Sequence, residues 1–109
     1  MGATFPLSET ATVVLNASGN GTIQMGPNRL GQTWKPSIVA VGTSTAVKVP
    51  IAEVFQGSTS LGATFSGSND SNTLTDITVY SGQKLKIVWT GGDVGAVATA
   101  SLSGTIEQW

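Results

Sequence analysis

The chain is predicted to fold as an all-β antiparallel β-sandwich, jelly-roll-like, with seven or eight strands. Apolar residues alternate with polar ones along short runs, clusters of Gly, Ser, Asn and Asp separate the runs, and no segment sustains a 3.6-residue apolar repeat. A length of 109 residues suits one domain with a radius of gyration of about 13 Å. Residues 1–109 are therefore read as a single β-sandwich domain, with 1–9 as a docking arm.

The first strand, Thr10–Leu15, places Ala11, Val13 and Leu15 on one face. Asn16-Ala17-Ser18-Gly19-Asn20-Gly21 breaks the run, and Thr22–Met25 resumes it with Ile23 and Met25 inward, which predicts a hairpin. Gly26-Pro27-Asn28 stops that strand, because proline removes a ladder donor. A further strand runs over Ser37–Thr43, with Pro36 restricting its approach and Gly42 marking a bulge or close packing. Val47, Val49, Ile51 and Phe55 then share a period-two face. Glu53 falls in the same register and Pro50 lies within the run, so the pattern predicts an edge strand or a bulge.

Gln56–Thr73 is rich in Gly, Ser, Thr and Asn and reads as two loops around a short strand at Leu61–Phe65. Thr75–Tyr80 alternates again and Ser81-Gly82-Gln83 turns the chain. Lys84–Trp89 then puts Leu85, Ile87 and Trp89 inward with both lysines outward. After the turn Thr90-Gly91-Gly92-Asp93, one long strand carries Ala96, Ala98, Ala100, Leu102 and Ile106 on one parity.

There is no histidine and no cysteine, and five Lys/Arg against six Asp/Glu leave a net charge of -1. The commonest acid–base and nucleophilic sets and most transition-metal sites are thereby removed, and no disulfide can form. The cations Arg29, Lys35, Lys48, Lys84 and Lys86 are dispersed, so neither nucleic acid nor a membrane surface is expected as partner. The N-terminal segment lacks the basic and apolar stretches of a secretory signal, and no later segment approaches a membrane span. The expectation is a soluble chain made in a cytoplasm.

Three chemistries were weighed against simpler readings. Two among Glu9, Glu53, Asp70, Asp76, Asp93 and Glu107 could form a glycosidase pair, but no spacing pairs them. Asn69-Asp70-Ser71-Asn72, with Asp76 nearby, gathers oxygen ligands suited to calcium, yet the same residues dominate ordinary turns. Trp34, Trp89, Trp109 and Tyr80 could stack on sugars. Strand parity assigns Trp89 to the core and leaves Trp34 as the best carrier of carbohydrate binding. No catalytic residue, cofactor or metal is expected, and the chain reads as a non-enzyme.

Val14-Leu15-Asn16-Ala17-Ser18-Gly19-Asn20-Gly21-Thr22 through Met25-Gly26-Pro27, then Trp34-Lys35-Pro36, Phe65-Ser66-Gly67-Ser68 and Val88-Trp89-Thr90-Gly91-Gly92-Asp93-Val94-Gly95-Ala96 together form a pattern. It resembles a family of small virion structural proteins of tailed bacteriophages infecting actinobacteria, and the Trp-Thr-Gly-Gly-Asp-x-Gly turn is its most specific piece. The resemblance implies a structural protein of the virion, made in the host cytoplasm. Its foremost form is a capsid decoration protein that stabilises the head by multivalent contacts with the major capsid protein and with copies of itself. The alternative is a minor tail or fibre-associated module that binds host-surface carbohydrate. Phe5, Pro6, Leu7, Trp34 and Trp109 are the candidate contacts, against the simpler role of closing the sandwich's own ends.

Overall fold

A computed structural model of the chain describes residues 2–27, 29–45, 47–61, 65, 66 and 69–108. Among them are the strands β1 (Ala3–Val14), β2 (Gly21–Met25), β3 (Gln32–Thr43), β4 (Ile51–Gln56), β5 (Thr59–Ser60), β6 (Phe65–Ser66), β7 (Asn69–Thr73), β8 (Leu85–Thr90) and β9 (Val97–Gln108), and no helix. One sheet has the order β1-β9-β3-β7 and the other β2-β8-β4-β5, with β6 on the same side of β4 as β5. Every pairing is antiparallel. The two short strands share one position, so the sandwich has eight strand positions.

The pairing is nested. β1 pairs with β9, β2 with β8, β3 with β7, and β4 with β5 and β6, so the chain runs out as one half of a ribbon and returns along itself. Rolling that ribbon brings β9 against β3 and β8 against β4, which closes two sheets with jelly-roll connectivity. The interior lies between them. Ile23 and Met25 of β2, Ala52 and Val54 of β4 and Leu85, Ile87 and Trp89 of β8 face Val39 and Val41 of β3 and Ala98, Ala100 and Leu102 of β9 in one buried cluster. Small alanines on the central strand of one sheet and a large indole on the other suit interdigitation at the density interiors require. The lysine-outward pattern of β8 and the long final strand are as expected.

Several elements depart from the expectations. β1 starts at Ala3 rather than Thr10, so the residues expected to form an arm are, from Ala3 on, the first half of a strand in unbroken register with β9. β1 and β2 form no hairpin. Leu15 is buried between the sheets, and the chain arches over it from one sheet to the other. β3 begins at Gln32 and contains Pro36; its bulge lies at Ser37, not Gly42. Gly104 stands opposite Pro36, where an added Cβ would run into the Lys35 carbonyl and come within 2.8 Å of Pro36 Cα.

In β4 the parity is the reverse of the one expected. Ala52 and Val54 are buried, while Ile51, Glu53 and Phe55 line the outer face. Both parities of this strand carry apolar residues, so the carboxylate decides, and Ile51 is exposed as a result. The polar stretch Asn69–Thr73 is an edge strand on β3 rather than loop. Thr75–Tyr80 is not a strand; Asp76 takes φ 57° and only Val79 bridges to Trp34. Most of the expected strand at Leu61–Phe65 lies outside the described residues.

The interior predicts its own sensitivity. Ile87→Ala is expected to lower the unfolding free energy by about 2–5 kcal/mol, against at most about 0.5 kcal/mol for Val47→Ala at an exposed position, as read from urea melts. Because the pairing joins residues far apart in sequence, refolding after denaturant dilution is expected on a time scale of about milliseconds to seconds.

Candidate functional site

Three connections converge at the end of the sandwich where β1, β3 and β8 finish: residues 15–20, 44–50 and 91–96. Their junction is a backbone contact between two glycines. Gly92 donates its N–H to the Gly19 carbonyl at 2.9 Å. Gly19 has φ 74°, and a Cβ there would run into the Gly92 carbonyl. A Cβ on Gly92 would lie 2.7 Å from Leu15 Cδ1 and 3.2 Å from Pro50 Cβ. Glycine is thus needed on both sides, for the left-handed turn at one and the close approach at the other.

Side chains fasten the loops around this contact. Asn16 Oδ1 accepts from the backbone N–H of Ser18 (2.9 Å) and Asn20 (3.1 Å), and Asn20 Oδ1 accepts from Gly91 N–H at 3.2 Å. The Asp93 carboxylate spans to the neighbouring connection. It accepts from Thr45 Oγ1 (2.9 Å), Val47 N–H (3.0 Å) and Lys48 N–H (3.1 Å). Ser44 and Val97 hold each other through two further bonds of 2.9 Å. The Trp-Thr-Gly-Gly-Asp-x-Gly segment therefore has a structural account: Trp89 enters the core, Gly92 meets Gly19, Asp93 ties down residues 45–48, and Gly91 and Gly95 take positive φ.

This frame presents aliphatic side chains to solvent among polar ones such as Ser18, Thr45 and Lys48. Val14, Val47, Val49, Ile51, Val94 and Val97 are all exposed, Val47 by 90%. Val14 and Val97 are cross-strand partners. Val47, Val49 and Val94 lie on the connections and Val14, Ile51 and Val97 at the adjoining strand ends, so this end of the sandwich carries exposed aliphatic side chains.

The sequence-predicted contacts lie elsewhere. Phe5 is 49% exposed and Pro6 is exposed, both on β1 toward the opposite end. Leu7 is 2% and Trp34 6% exposed, so both are core residues and correct the expectation of free contacts. The bulge at Ser37 reverses strand parity, which lets Trp34 face inward as Val39 does. Its indole N–H donates to Gln32 Oε1 at 3.3 Å. Trp109 lies outside the described residues.

The carboxylates are also dispersed in function. Glu53 accepts from the Ser60 hydroxyl at 2.5 Å on the outer face of the second sheet, and Glu107 pairs with Lys35 at 2.9 Å. Asp70 sits on the extended strand β7, so the ligand-bearing turn weighed for calcium is not formed there. Among the described residues no group of three or more Asp or Glu side chains gathers as a metal site. Against known proteins, no family model matches the chain and no curated protein matches it.

The signal for the aliphatic loops was present in the sequence. Glu53 and Pro50 share the segment with Val47, Val49 and Ile51, and a parity containing a carboxylate belongs outside. Asp93→Ala, which hands three exposed donors back to water, is expected to cost about 0.5–1.5 kcal/mol. Hydrogen exchange should show the Val47 and Lys48 amides losing protection while the core strands keep theirs.

Proposed function

We propose that the chain is a non-enzymatic structural protein of a phage virion, most specifically a capsid decoration protein that stabilises the head by multivalent contacts with the major capsid protein and with copies of itself. The observation that carries the reading is the set of exposed branched aliphatic side chains at one end of the sandwich, Val47, Val49 and Val94 on two fastened connections and Val14, Ile51 and Val97 at the adjoining strand ends. This surface is distinct from the N-terminal one expected from sequence, where Phe5 and Pro6 are also exposed. The resemblance described above supports the virion assignment, since its most specific segment is the one that builds this end.

The magnitudes favour adhesion in many copies. Burying these six side chains to the extent that they are exposed amounts to roughly 7 kcal/mol, whereas association alone costs on the order of 4–15 kcal/mol. One copy therefore holds weakly. Copies that engage neighbouring subunits of a shell pay the association cost once for several contacts, and the array becomes stable. A carbohydrate platform on Trp34 is not supported, because that ring is buried.

Quantitative mass spectrometry of purified particles tests the reading. A copy number of the same order as the major capsid protein's is expected. A few copies per particle would overturn the decoration role, and absence would overturn the virion assignment. Val47→Asp and Val94→Asp are each expected to weaken binding to assembled shells by about 5- to 30-fold, in line with the cost of losing a central contact, with unchanged circular dichroism.

A further inference from the structure

Among the described residues β1 is an edge strand twelve residues long, paired only on its β9 side. Leu15 donates to the Ala96 carbonyl at 2.8 Å, and the register from there to Ala3 is unbroken. Hydrogen-bonding direction alternates along a strand, so Thr4, Pro6, Ser8, Thr10, Thr12 and Val14 turn their backbone groups away from β9. Pro6 is in this phase: it costs no bond to β9, but it has no N–H to offer a further strand and so removes one bond on each side of any twofold pairing of this edge. The edge otherwise lacks the usual protection: Glu9 is its single charged side chain, and Thr10-Ala11-Thr12-Val13-Val14 has neither charge nor proline.

We propose that this edge pairs with the same edge of a second copy about a twofold axis at Ser8, joining the two β1-β9-β3-β7 sheets into one of eight strands. The inference deepens the self-association part of the reading above by naming its surface. A twofold axis perpendicular to the sheet keeps like faces together, which sets Ser8 opposite Ser8, Pro6 opposite Thr10 and Thr4 opposite Thr12 of the second copy. This register uses nearly the whole strand. It lays the half-exposed Phe5 beside Ala11 of the second copy and avoids two Glu9 side chains directly opposite.

The area is adequate for a stable dimer. At full coverage a contact about 40 Å long across the molecule's smallest extent of 21 Å reaches roughly 800 Å² per partner, the size of a standard specific interface.

The full chain has no cysteine, so Ser8→Cys introduces a single thiol on the axis. Directly opposite residues of a hydrogen-bonded pair have Cα atoms about 5.5 Å apart, within disulfide range. Under mild oxidation Ser8→Cys is expected to become a covalent dimer, whereas Thr22→Cys on the outer face of β2 does not. By sedimentation at about 100 µM, the unmodified chain should be dimeric and Ser8→Lys monomeric, with circular dichroism and Trp fluorescence unchanged. A monomeric unmodified chain, or a dimer that survives Ser8→Lys and leaves Ser8→Cys uncrosslinked, overturns the inference. Those outcomes leave the particle copy number untouched, so this inference and the virion reading fail separately.

Discussion

The first sheet is registered against β9. It runs between β1 and β3 for its whole length, so residues at opposite ends of the sequence lie side by side from Ala3 and Gln108 to Val14 and Val97. Two of its inward positions, Ala98 and Ala100, are alanine, which leaves interior volume to Trp89, Ile87 and Leu85 from the facing sheet. The one irregularity, Gly104 against the bulge at Ser37, brings Trp34 into the core. A shift of β9 by one residue would turn Ala98, Ala100 and Leu102 outward and put Thr99 and Ser101 inside.

At one end this scaffold is closed by backbone rather than by side-chain packing. The Gly19–Gly92 contact leaves no room for a Cβ on either side, and the Asp93 carboxylate fixes the neighbouring connection from a distance of 45 residues or more in sequence. Loops held in this way keep valines exposed that a softer loop would fold inward. The cost of exposing them is set against three or more hydrogen bonds that tolerate no simple replacement.

The strands that alternate against a polar parity were legible in the sequence. In β2, β8 and β9 the buried residues are all apolar and most of those between them are polar, so one reading fits. Edge strands were not. β7 and the first half of β1 are paired on one side and little buried, so nothing compels their residues to alternate. β4 misled because Ile51 and Phe55 compete with Ala52 and Val54 for the interior, and Trp34 because a bulge upstream of the visible alternation reverses the parity. The nested pairing was invisible for a different reason: alternation tells a strand which face to bury and not which neighbour to take. The motif around Gly92 was visible, but its work as a joint between connections depends on contacts far apart in the chain.

The pairing of Ala3 with Gln108 has a practical corollary. Both described ends lie side by side, about 40 Å along the strands from the valine-bearing loops. Within one copy a fluorescent protein or peptide epitope fused there projects away from those loops, whereas in the antiparallel dimer Ala3 stands opposite Val13 of the second copy, so each pole of the dimer would carry both cargo and valines.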